Sequence, residues 1–77
     1  MAEEQRRLDR LRRLVDVTCA LLRQARVDAR EAYGLAALAR EQALALFPDK
    51  ADVFDLVIAP RFRRILDERW PPRGGGA

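Results

Sequence analysis

No proline occurs before Pro48, and the one glycine before it is Gly34. Across that stretch apolar residues recur at alternating spacings of three and four. They are Leu8, Leu11, Val15, Leu22 and Ala25, with Thr18 in the gap, then Ala29, Ala32, Ala36, Ala39, Ala43 and Leu46. This periodicity puts them on one helical face. Leu14, Val17 and Leu21 widen the stripe beyond a narrow two-stranded seam. The first half of the chain is therefore helical, and the question is whether it is one helix or two.

Asp28 followed by Glu31 has the form of a capping box, with Val27 and Ala32 as its hydrophobic staple. That pattern argues for a new helix at Asp28. The stripe, however, runs through it in phase, and RQARVDARE holds no Gly, Asn or Pro to make a turn. The favoured reading is one straight helix over about residues 4–47, roughly 65 Å long at 1.5 Å per residue. The alternative is a break near Asp28, giving three helices of about 30 Å each that close as a three-helix bundle.

Phe47-Pro48-Asp49 ends the first helical region, because Pro48 cannot continue it and biases Phe47 away from helical geometry. Asp49 is expected to cap a second helix beginning at Lys50. Its apolar face is Phe54, Val57, Ile58, Phe62, Ile65, Leu66 and Trp70. Pro60 either kinks this helix or restarts it as the first helical residue. VFDLVI has strand-like composition, but no second strand candidate exists to pair with it. The expected architecture is all-α: a long helix and a shorter, Pro-kinked antiparallel helix, forming one domain over residues 1–70. Residues 71–77 are expected to be a flexible tail.

A hairpin with such unequal arms leaves half of the long stripe bare. The chain has 77 residues, and a domain of that size buries only about 60% of its unfolded surface. Cys19 is the sole cysteine and there is no histidine, so neither a disulfide nor a typical zinc site can brace it. Oligomerisation is the remaining common brace. The expected interface between copies, or with a helical partner, is Leu8, Leu11, Val15, Leu22, Ala25, Ala29, Ala32 and Ala36. The alanines would admit a closely packed helix.

Little here points to catalysis or a cofactor. Without histidine the usual general base at neutral pH is missing. Asp49, Asp52 and Asp55 fall near one side of a helix, but lack the Glu-x-x-His partner motif of carboxylate metal sites. GGG lies near the C-terminus rather than after a strand, so it is not a phosphate loop. We expect no enzyme, no cofactor and no metal.

The basic clusters carry the rival reading, a nucleic-acid-binding protein. RRLDRLRR places Arg6, Arg10 and Arg13 on one outer face, and PRFRR adds Arg61, Arg63 and Arg64. Interleaved acids, including Asp9, Asp16, Asp67 and Glu68, bring the net charge to only +3. No aromatic lies among the N-terminal arginines to stack on bases. The same acids weaken a membrane-surface role, and no apolar run approaches the roughly 18 residues of a membrane span. MAEEQRRLDR does not have the form of a secretory signal. The expected location is cytoplasmic, where a lone thiol stays reduced.

Residues 39–51, AREQALALFPDKA, resemble the end of the second helix of a tetratricopeptide repeat, with Ala43 and Pro48 at that repeat's Ala and Pro. RVDAREA, residues 26–32, resembles the turn into that helix, one turn out of register. The repeat's Trp, Gly and Tyr positions do not match, and the likeness covers less than one repeat, so the chain is not assigned to the family. The resemblance implies protein–protein binding. An oligomerisation or interaction module is thus the first functional expectation.

Overall fold

The computed structural model describes residues 2–72 and is all-α in them. The tail expectation for residues 73–77 lies outside the described residues. Helix α1 spans Ala2–Leu22 and α2 spans Ala29–Leu46. A third helical run is built from α3 (Ala51–Val53), a π-helical stretch (Phe54–Ile58) and α4 (Ala59–Arg69). α1, α2 and α4 each touch the other two, so the chain closes on itself as a three-helix bundle.

The straight helix over 4–47 is therefore corrected: the chain breaks between Leu22 and Ala29. The capping box at Asp28 is complete. Asp28 Oδ1 accepts from the Glu31 N–H at 2.8 Å, and Glu31 Oε1 accepts from the Asp28 N–H at 3.3 Å. Such a cap contributes about 1 kcal/mol. The exit from α1 uses no left-handed residue, since no described residue has positive φ. Instead the helix tightens into three-residue turns, with Arg23 N–H donating to Ala20 O and Gln24 N–H to Leu21 O, both at 3.2 Å.

Carbonyls at that turn also accept from a side chain far along the sequence, Gln24 O in addition to the Val27 N–H at 3.2 Å. Arg69 Nη1 donates to Leu22 O at 2.6 Å and to Gln24 O at 2.7 Å, and its Nη2 donates to Val27 O at 3.4 Å. A cation is favoured there by the negative end of the α1 dipole. The Arg69 guanidinium also lies over the Trp70 ring, 4.3 Å from its centroid. No Gly or Asn lies between Leu22 and Asp28 to cap α1 locally, and its cap arrives instead from the end of α4.

Two proline junctions behave alike and a third does not. Phe47 before Pro48 and Trp70 before Pro71 leave the helix with nearly the same dihedrals, φ −134° with ψ 77° and 79°. This is the extended geometry that a following proline imposes. Ala59 before Pro60 stays helical, at φ −56° and ψ −39°. There the Ala59 N–H reaches back to Phe54 O, a π-helical bond. The wider turn carries the carbonyl that would strike the proline ring out of its way. The helix thus neither stops nor restarts at Pro60. Asp49 is not the cap of this run, which begins at Ala51 behind an uncapped Lys50.

The core is built from unequal partners. α2 contributes Ala32, Ala39 and Ala43, while the third run contributes Phe54, Phe62, Ile65 and Leu66. Small residues on one helix leave room for large ones on the next. The rings of Phe54 and Phe62 meet edge to face, with centroids 6.1 Å apart. Val15, Thr18 and Leu22 complete the core from α1. The close helical partner expected for the alanine stripe is thus found within the chain. Val57, expected on the apolar face, is exposed instead, because the extra residue of a π turn makes the third position past Phe54 lag around the helix.

Gly34 lies within α2, and an added methyl group would meet no heavy atom within 4 Å. Gly34→Ala is expected to raise stability by about 0.5–1 kcal/mol in urea unfolding. A loss instead would show that another chain approaches this position in solution.

Candidate protein-docking surface

At the end of the bundle that carries the Phe47-Pro48 turn, an apolar trough of about 300 Å³ opens between the helices. α1 forms one wall with Glu4, Leu8 and Leu11. Lys50, Val53, Phe54 and Ile58 form the other, and Ala43, Leu44 and Phe47 of α2 line the floor. The trough exists because α1 meets α2 and α4 along the bundle while its first turns, exposed over residues 2–10, stand away from the third run.

Of the residues lining the trough, Leu8 is 39% exposed and Val53 51%, while Val57 at 60% and Leu56 at 78% are exposed outside its lining. Leu56 and Val57 belong to the π-helical stretch, a feature often found at functional sites.

The π-helical stretch is tied to α2 by a two-pronged ion pair. Arg40 Nε donates to Asp55 Oδ1 at 2.9 Å, and Arg40 Nη2 donates to Asp55 Oδ2 at 3.1 Å. Those hydrogen bonds hold the Asp55 carboxyl below its ordinary range, with the charge of Arg40 adding to the shift and partial desolvation opposing it. A lowered folded-state pKa means the pair stabilises the fold above the unfolded pKa and stops doing so as pH falls through the folded value. Acidification below about pH 4 is therefore expected to lower the urea midpoint more in the wild type than in Asp55→Asn. Equal losses in both would show that the pair contributes nothing to folding.

The residues expected at an interface are divided by the structure. Val15, Leu22 and Ala32 lie in the chain's own core, covered by the other helices of the bundle. Leu11, Ala29 and Ala36 are half-buried, and Ala25 is exposed in the α1–α2 turn. Of the eight, Leu8 and Leu11 reach the trough. Leu44, Phe47, Val53 and Leu56 were missed as surface residues because the long-helix reading placed the bare surface elsewhere.

The arginines do not converge. Arg6, Arg10 and Arg13 lie opposite the buried side of α1, with Arg10 beside Gln42 and Ala45 of α2. Arg61, Arg63 and Arg64 are exposed, with Arg61 and Arg64 on one side of the helix and Arg63 about 160° from Arg61. Arg63 and Arg64 share their surface with Asp67 and Glu68.

Cys19 is half-buried against the core. Among the described residues, no three or more His, Cys, Asp or Glu gather as a metal-ion ligand set, and no helix is long and apolar enough to cross a membrane. Comparison with protein-family models, with curated proteins and with solved structures finds no match.

Proposed function

We propose that the chain is a small assembly module that associates with protein through the trough and the π-helical stretch beside it. The observation behind this reading is the exposure of Leu8 and Val53 in an apolar trough, with Leu56 and Val57 exposed on the π-helical stretch whose Phe54 and Ile58 line it. Association would remove that surface from water, at about 25 cal/mol per Å² before the costs of binding. The test is absolute molar mass by light scattering behind a sizing column at two concentrations. The expected mass exceeds the 8.8 kDa of one chain and rises with concentration. Leu56→Asp should return it to that of one chain while circular dichroism keeps its helical form. An unchanged mass in Leu56→Asp would remove this surface from the reading.

The second reading is nucleic-acid binding, favoured by one observation: Arg6, Arg10 and Arg13 share the outer side of α1 and enter no ion pair among the described residues. It requires affinity for labelled DNA or RNA that falls steeply with salt and drops when Arg10 and Arg13 become glutamate.

A further inference from the structure

The trough carries opposite charges on its two walls, and the geometry points to a second copy of the chain as its occupant, related by a two-fold axis through the trough. This rests on the assembly reading above and names its partner. Glu4 stands on the α1 wall and Lys50 on the opposite wall. Among the described residues ion pairs close at Arg7–Glu3 and Arg40–Asp55, so Glu4 and Lys50 are not joined to each other. A two-fold axis running along the mouth of the trough, parallel to its floor, brings the two troughs face to face and sets the α1 wall of one copy against the Lys50 wall of the other. Glu4 then meets Lys50 of the second copy, and the same contact recurs on the other side of the axis. Leu8 meets Val53 in the same exchange, which covers two side chains that a single chain leaves 39% and 51% exposed.

Charge beyond the trough agrees with this arrangement. The chain is formally +3, so two copies repel at long range. Arg6, Arg10 and Arg13 occupy the side of α1 opposite Leu11 and Val15. Docking through the trough keeps that side pointing away from the second copy. The trough itself, with one acid and one base, is neutral.

The test is a charge exchange read by molar mass. Wild type is expected to be a dimer. Glu4→Lys alone sets lysine against lysine at both contacts, and Lys50→Glu alone sets glutamate against glutamate. Each is expected to weaken dimerisation at least about tenfold. When the two single variants are mixed in equal amounts, a dimer of one with the other has an acid facing a base at both contacts. The mixture should therefore recover the dimer that neither variant forms alone. The double variant should recover it as well. A wild-type dimer indifferent to both exchanges leaves the assembly reading standing and overturns the two-fold geometry. So does a trimer or larger species. A wild type that stays a monomer at both concentrations overturns the second copy as occupant and the self-association test of the assembly reading together.

Discussion

Arg69→Ala is expected to lower the unfolding free energy by about 2–4 kcal/mol, from hydrogen bonds to a charged donor worth roughly 1.5–3 kcal/mol each, discounted because the site is only part-buried. The carbonyls of Leu22 and Val27 lose the Arg69 donor at once, and that of Gln24 is left with only the Val27 N–H. A domain of this size has a total stability of roughly 4–12 kcal/mol, so the loss is a large fraction of it. The corresponding fall in melting temperature is about 10 °C or more. Arg69→Met separates the causes, since it keeps much of the apolar stem but supplies no donor. If Arg69→Met retains wild-type stability, the packing of the stem matters and the hydrogen bonds do not. Arg69→Lys should lie between, because an ammonium group keeps the favourable charge but not the fork.

Leu22→Ala is expected to cost about 2–5 kcal/mol, the range for emptying a fully packed leucine site. Leu22 has no exposed surface. The loss should appear in urea unfolding at every protein concentration, with the molar mass of the remaining folded protein unchanged. Leu56→Ala at the exposed π-helical stretch should move intrinsic stability by less than about 0.5 kcal/mol. The pair of variants separates core from surface. A Leu22→Ala protein that kept its stability but lost self-association would restore the sequence expectation that Leu22 faces another chain. Leu22→Asp is a poorer probe, because a buried unpaired carboxylate unfolds the chain before any interface is tested.

The helical class was legible from periodicity, and the end at Phe47 was legible from Pro48. The capping box at Asp28 was also legible, yet the unbroken stripe outweighed it. The stripe stays in phase across the break because α1 and α2 both need a buried face, and each face happens to fall in register with the other. RQARVDARE holds no Gly, Asn or Pro, and that local absence reads as continuity. Arg69 supplied what they would have supplied, and a side chain closing a gap at a sequence separation of 47 leaves no local mark.

The Arg40–Asp55 pair was within reach of the sequence. Both residues lie equally far from the Phe47–Pro48 bond, so an antiparallel hairpin folded there sets them opposite each other. The trough was not legible, because it depends on how far the first turns of α1 stand from the third run. Val15, Leu22 and Ala32 are buried within the chain for one reason: a break at Asp28 lets it cover its own stripe. The π turn left a weaker trace in Pro60 itself, since a proline inside a helix demands some relief.

The Arg69 clamp also bears on the order in which the molecule is made. α1 and α2 emerge from the ribosome before α4 exists, and until then the carbonyls of Leu22 and Val27 lack the donor that Arg69 supplies, while that of Gln24 has only the Val27 N–H. The α2 face, made of alanines, offers the nascent pair little to hold it together before Phe54, Phe62, Ile65 and Leu66 arrive. The first two helices are therefore poorly suited to persist as a separate folding unit. Closure waits for the third helical run, and the bundle then forms as a single cooperative event, with its earliest turn secured by the end of α4.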